Sequence, residues 1–126
     1  MAIYGVGLDL VRTERLQTLL DRWGERLRDR LFTAGEWATC MQRSTTASCL
    51  AMRFAAKEAF SKALGTGIRS PVNWLDIEVR NDALGKPEIH LSPRAETHCR
   101  ERGIRSWHLS LTDDGTYGAA VVILES

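Results

Sequence analysis

No stretch of this sequence approaches the run of about 20 apolar residues that crosses a bilayer, and no basic segment leads into a shorter apolar run as a secretory leader would. A membrane partner is therefore not expected. Charge of one sign is also scarce. Lys and Arg number 17 against 16 Asp and Glu, a formal net charge of +1, which argues against a generally basic coat for nucleic acid. Cys40, Cys49 and Cys99 are odd in number and lack zinc-like spacing, so reduced, structural cysteines in a cytoplasmic protein are expected. Internal repeats, linkers and low-complexity segments are missing, as are RNA-recognition and helix-turn-helix signatures. What is present is ordinary in bulk: 44% hydrophobic and 26% charged residues, enough for one domain over residues 1–126 with its own core.

Ala2 to Val11 is nearly all apolar around Gly5 and Gly7, which predicts a strand buried on both faces. Asp9 is out of place there. A carboxylate near a core needs a partner, a metal or a strand end at a cleft, unless it is a plain turn acid before the next element. Gly7 would admit a ligand or another backbone. Thr13 is the expected cap of a helix whose Leu16, Leu19, Leu20, Trp23, Leu27 and Leu31 share one face, with Gly24 bending or dividing it. Arginines outnumber acids along it, but mixed signs of this kind usually mark a solvated face. Thr33 to Glu36 forms a capping box for a short helix through Trp37 and Met41, and Thr45 or Thr46 caps the next.

Farther on, alternation from Trp74 to Val79 predicts a half-buried strand with Leu75, Ile77 and Val79 on one side and Trp74, Asp76 and Glu78 outside. Asn81 to Gly85 turns, and Lys86 to Leu91 returns as a second strand with Pro87 at an edge or a strand start. Ser92, Pro93 and Gly103 frame another helix; Trp107–Thr112 and Tyr117–Leu124 close as a hairpin about Asp113, Asp114 and Gly115. Strands and helices mix without regular βαβ alternation, so the class is α+β.

The chain is organised around Arg53 to Gly67, RFAAKEAFSKALGTG. Helix-favouring residues run without proline up to Gly65, which suits a left-handed C-terminal cap. Met52, Ala55, Ala56, Ala59, Phe60 and Ala63 make one apolar face, whose alanines let a backbone or sheet come close. Opposite runs a stripe of Arg53, Lys57, Glu58, Ser61 and Lys62 with Leu50 and Phe54 embedded in it. It reads either as a solvated face with a Glu58–Lys62 ion pair or as the wall of a cleft that meets an anion. A monomer would expose Leu50 and Phe54 on it, so either a neighbouring chain or the chain's own arginine-rich helix covers them.

Phe54 to Ala63, FAAKEAFSKA, resembles the FxxKEAxxKA signature of the 4'-phosphopantetheinyl transferases. With GTGI at Gly65 to Ile68 and Gly7-Leu8-Asp9 in the first strand, the chain is similar from Tyr4 to its end to the small bacterial branch, the holo-acyl-carrier-protein synthase family. The resemblance implies a mixed or antiparallel sheet packed against a long central helix, a homotrimeric assembly, and docking of an acidic carrier on the first helical region. It implies transfer of 4'-phosphopantetheine from coenzyme A to a serine of apo-acyl carrier protein, with Mg2+ as cofactor and fatty-acid synthesis as the first setting.

Such a reaction gathers charge on a departing phosphate, so positioning and electrostatics dominate. Mg2+ takes one or two carboxylates plus substrate phosphates, and Asp9 and Glu58 are the implied pair; without a metal they would repel. Lys62 is implied at the leaving phosphate or in steering Glu58, and either Glu58 or a water held by the metal takes the serine proton. Arg53 and Lys57 are assigned to phosphate or helix-to-helix contacts. Gly65 lets the nucleotide near the backbone, and Lys86 and Pro87 border it. One departure stands out: Asp113 occupies the place where many members carry a coenzyme-contacting histidine, and it is left out of the site. A metal-dependent nucleotide phosphohydrolase and a nonenzymatic RNA- or protein-binding module are the alternatives. The first lacks a dedicated water-activating motif, and the second leaves Asp9 and Glu58 unexplained.

Overall fold

The computed structural model describes all 126 residues. In chain order the elements are β1 (Ile3–Arg12), α1 (Thr13–Trp23), α2 (Arg26–Leu31), α3 (Ala34–Met41), α4 (Thr46–Leu64), a 3-10 turn (Trp74–Asp76), β2 (Ile77–Asn81), β3 (Pro87–Leu91), α5 (Pro93–Glu101), β4 (Ser106–Asp113) and β5 (Tyr117–Glu125). An antiparallel sheet in the order β1-β5-β4 packs on α4, and β2 and β3 form a separate antiparallel pair. Trp107 ties the two together by donating its indole N–H to the Ile89 carbonyl at 2.9 Å. The α+β class and the long central helix are as the sequence suggests. No helix is long and apolar enough to cross a membrane.

Glycine and alanine set the distance between β1 and α4. A Cβ on Gly7 would lie 1.7 Å from the Ala59 carbonyl oxygen, and one on Gly5 1.9 Å from that of Ala63. The backbones are therefore in contact, which only glycine permits on the strand side. Gly7 makes room for another backbone rather than for a ligand. The other face of β1 departs from expectation. Val6, Leu8 and Leu10 are 56%, 66% and 64% exposed, opposite Ile123, Val121 and Ala119 of β5 in register. Nothing in the chain covers that face.

α4 is enclosed nearly all round, including most of its polar stripe. Arg53, Lys57 and Ser61 are buried, as are Leu50 and Phe54. Phe54 stacks on Trp74 with ring centroids 4.9 Å apart, and the Arg15 guanidinium lies 5.0 Å above the same ring. The chain's own α1 and Trp74 thus provide the cover for which a neighbouring chain was the alternative.

Lys57 and Glu36 form a dry ion pair at 2.8 Å, both side chains fully buried. Lys57 also donates to the Trp74 carbonyl at 2.8 Å, while Glu36 accepts from the Thr33 and Val79 backbone N–H groups, each at 2.9 Å. Burial pulls the Lys57 ammonium below its ordinary range, and the Glu36 charge and hydrogen bond work against that. The pair joins α3, α4, the 3-10 turn and β2 at one point.

Several local expectations change. The box of Thr33 and Glu36 forms as read, and Gly65 caps α4 at φ 85°. Gly24, at φ 55°, ends α1 and divides it from α2. Thr13 does not cap α1: it is the first helical residue, and its buried hydroxyl has no partner. Thr45 occupies the cap position of α4 without a side-chain bond. Trp74 to Asp76 is a 3-10 turn rather than strand, because Asn73 and Asp76 cap one another and draw Asp76 inward; Leu75 is left exposed. The cysteines are not all reduced. Cys40 at the end of α3 and Cys49 in α4 face each other with Cα atoms 5.5 Å apart and form a disulfide, leaving buried Cys99 as the free thiol.

The buried pair predicts an asymmetry. Lys57→Met or Glu36→Gln alone should cost about 3–5 kcal/mol of unfolding free energy, because each leaves a buried charge without its partner. The double variant should recover a substantial part, measured by urea denaturation; equal additive losses would show that the two charges do not depend on each other.

Candidate active site

β1 and α4 bring Asp9, Glu58 and Lys62 together. The close glycine contact places the strand's central residues beside the second half of the helix. Lys62 Nζ donates to Asp9 Oδ1 at 2.9 Å and to the Leu8 carbonyl at 3.0 Å. Its side chain is about half exposed, while that of Asp9 is 15% exposed. The lysine therefore pairs with Asp9, across the strand-helix seam, and not with Glu58 one turn earlier.

The Glu58 carboxylate accepts no hydrogen bond and joins no ion pair within the chain; only its backbone carbonyl is used, by the Ser61 hydroxyl at 2.8 Å. Burial raises its carboxyl above the ordinary range and the Asp9 charge raises it further, against the pull of Lys62 and Arg15. An uncommitted, half-buried carboxylate beside a second carboxylate and a lysine is a set of hard oxygen donors open to a cation or a proton.

The remaining sequence candidates divide. Gly65 follows Lys62 by less than one turn and is exposed. Arg53 and Lys57 point the other way, into the protein. Arg53 Nη1 lies 3.1 Å from Cys49 Sγ, its Nε has no partner, and Lys57 is enclosed with Glu36. Lys57 thus makes a helix-to-helix contact, to Glu36 of α3, while Arg53 bonds back to Cys49 of its own helix; a phosphate contact by either would need the core to open. Lys86 ends the turn before β3 and Pro87 opens that strand, which packs on β2, β4 and α5; no hydrogen bond or ion pair links either residue to the Asp9 group. Asp113 accepts from the Ser48 hydroxyl at 2.5 Å, holding the β4–β5 turn on the start of α4.

Arg15 is a neighbour the sequence does not single out for this site. Its guanidinium lies on Phe54 and its charge reaches Glu58. Beside it an apolar cleft of about 610 Å³ opens, lined by Leu19, Trp23, Leu27, Leu31 and Trp74 and edged by Arg26, Asp29 and Arg30.

A helix carrying KExxxK, packed on an antiparallel sheet whose first strand supplies an aspartate, defines a transferase of the phosphopantetheinyl type. Residues 5–122 match the family model described as the 4'-phosphopantetheinyl transferase superfamily. Over 124 residues the chain is 51% identical to the holo-[acyl-carrier-protein] synthase of Trichlorobacter lovleyi, covering 98% of each. The crystal structure of the synthase from Neisseria meningitidis is similar with a TM-score of 0.93 at 39% identity, over 99% of this chain and 100% of that one. The synthase from Bacillus anthracis in complex with CoA (3',5'-ADP) is similar at 0.82 and 37% identity, over 98% and 97%. The chain belongs to the holo-[acyl-carrier-protein] synthase family and is an enzyme of that class. The hydrolase and binding-module alternatives fall away.

The raised Glu58 carboxyl makes a pH prediction for the metal-free protein. Its folded-state pKa lies above its unfolded one, so folding favours the proton, and stability falls as pH rises from the ordinary value of 4.5 through the raised one. Glu58→Gln has no such loss. In chelator its melting temperature should gain on the parent as pH rises above the ordinary glutamate value of 4.5. A constant difference across that range would mean that Glu58 has an ordinary environment.

Proposed function

We propose that the protein transfers 4'-phosphopantetheine from coenzyme A to a serine of an apo-acyl carrier protein, releasing adenosine 3',5'-bisphosphate, and that Asp9 and Glu58 hold Mg2+ for the reaction. The observation that carries this reading is the Asp9–Lys62 pair facing an uncommitted Glu58. The donor set fits the ion. No third His, Cys, Asp or Glu completes an all-protein metal cage, and Mg2+ is commonly held by one or two carboxylates with water and substrate phosphates in its other positions. Bound there, it would neutralise pyrophosphate charge.

The chain's own groups do the rest. The serine oxygen forms a bond to the β-phosphorus of the coenzyme as the bond to the bridging oxygen breaks, and the bisphosphate leaves with that electron pair. In this reading Glu58, whose carboxylate has no partner within the chain, takes the serine proton. Lys62 brings a positive charge to the departing phosphate, where charge grows in the transition state. Gly65 lets the nucleotide approach the end of α4.

Arg12 at the end of β1, Arg15 and Arg22 on α1, and Arg26 at the start of α2 are exposed, and with the apolar cleft they make a surface suited to an acidic carrier with an apolar anchor. The carrier of cytoplasmic fatty-acid synthesis is the first candidate. The working unit in this reading is a homotrimer whose copies cover the Val6, Leu8 and Leu10 face, with Lys86 and Pro87 bordering the coenzyme of a neighbouring copy.

Incubation with coenzyme A, Mg2+ and purified apo-carriers should add one phosphopantetheine to the carrier by mass. Asp9→Asn and Glu58→Gln should each lower turnover on the order of 10²-fold at saturating coenzyme A. A normal rate in either variant would end the shared-metal assignment.

Lys62→Ala separates two roles. Acting on the leaving phosphate, it should lower kcat about 10-fold or more with little change in the KM for coenzyme A. A raised KM at unchanged kcat would instead make Lys62 a recognition residue.

A further inference from the structure

Arg69, His98 and Arg102 meet at a second pocket that the transfer chemistry above does not use. The segment after α4 is held in a narrow turn, Arg69 and Val72 exchanging backbone hydrogen bonds of 3.1 and 2.8 Å, and lies against the C-terminal half of α5. Between them is a cavity of about 410 Å³ lined by Thr66, Arg69, Ser70, Val72, His98 and Arg102, with Pro71 at its side and no carboxylate in its wall.

The hydrogen bonding around His98 shows what is missing. Arg102 Nη1 lies 3.1 Å from His98 Nδ1 and also donates to the His98 carbonyl at 3.4 Å. A guanidinium can only donate, so Nδ1 accepts and the ring proton sits on Nε2. Burial and the Arg102 charge hold the imidazole below its ordinary range, against a smaller pull from Glu101, in keeping with a neutral ring. That Nε2–H is shut off from water and has no acceptor. An orphaned buried donor is costly unless an acceptor arrives to meet it.

The two arginines of the pocket lack an acidic partner, unlike their neighbours. Arg94 is paired with Asp76 at 2.7 Å and Arg100 with Glu96 at 3.9 Å. Arg69 and Arg102 pair with no carboxylate. Ser70 accepts from Arg94 at 3.3 Å, which leaves its own hydroxyl proton to give. The pocket wall thus carries two guanidinium groups, an imidazole and a serine hydroxyl, with the Thr66 hydroxyl directed to the Gly67 carbonyl.

We propose that this pocket binds the dianionic phosphate of a phosphate monoester or of inorganic phosphate, held by Arg69 and Arg102. Guanidinium forks match phosphate oxygens in pairs, and several donors from different directions suit a tetrahedral anion better than a planar carboxylate. The pocket adjoins Thr66, one residue beyond the Gly65 cap and about one turn past Lys62. The phosphate therefore has two possible sources, the 3'-phosphate of coenzyme A reaching along the end of α4 or free phosphate from solution. The site itself does not rest on the transferase reading; only the coenzyme source does.

The experiment is a titration of the arginine side-chain Nε–H signals with inorganic phosphate at constant ionic strength. The parent protein is compared with Arg69→Ala/Arg102→Ala, whose two positions are exposed and outside the core. The expected result is saturable shifts for Arg69 and Arg102 that chloride does not produce, and binding weakened about 10-fold or more in the double variant. Linear shifts shared with chloride, or undiminished phosphate binding in the variant, would overturn the proposal. Turnover then identifies the source. A KM raised for coenzyme A but not for dephospho-coenzyme A supports the 3'-phosphate, whereas unchanged KM values with phosphate binding lost support free phosphate. Failure of any turnover with apo-carriers would count against the transferase reading while leaving the phosphate titration intact.

Discussion

The contact between the backbones of β1 and α4 is the constraint on which the site depends. Gly5 and Gly7 remove the side chains that would hold the strand away, and Ala59 and Ala63 keep the helix face low. With the strand that close, Asp9 lies within hydrogen-bond reach of Lys62 and near enough to Glu58 to raise its carboxyl. A strand held farther out would leave the same residue types in the sequence without the arrangement that gives them a common chemistry.

The same closeness buries α4 almost completely, and its polar residues divide accordingly. Lys57 and Glu58 are adjacent in sequence and about 100° apart around the helix. Lys57 turns inward to Glu36 and the Trp74 carbonyl, where every hydrogen-bonding group it meets is fixed. Glu58 turns to the seam with β1, where its carboxylate is uncommitted. The inward residue sets the rotation of the helix, and the outward one carries the consequences. A buried ion pair is weak evidence for net stability, but here it joins four elements at one point and fixes which face of α4 meets β1.

The site was legible in the sequence because its signal is local. The KEAFSK run on a helix and the aspartate two residues after Gly7 stand out against their surroundings. The cap at Gly65, the box at Thr33 and the hairpin at Asp113 follow from turn and cap chemistry that acts within a few residues. What escaped depends on distant partners. Leu50 and Phe54 look exposed until α1 and Trp74 fold over them; Arg53 and Lys57 look solvated until Glu36 arrives from another helix. Asp76 fits an alternating strand, but its reciprocal bond with Asn73 curls the chain into a turn instead. Counting three cysteines could not show that α3 and α4 would bring two of them face to face. The exposed half of β1 has a different cause: an apolar run predicts burial on both faces, but no other element of the chain reaches Val6, Leu8 and Leu10.

Gly7→Ala tests the central constraint most directly. Steady-state turnover of an apo-carrier would be compared with the parent at a temperature where circular dichroism shows both folded. With a Cβ forced against the Ala59 carbonyl, β1 must shift, so turnover should fall on the order of 10²-fold at saturating substrates. Parent-level turnover in folded Gly7→Ala would show that Asp9, Glu58 and Lys62 do not need this contact to work together.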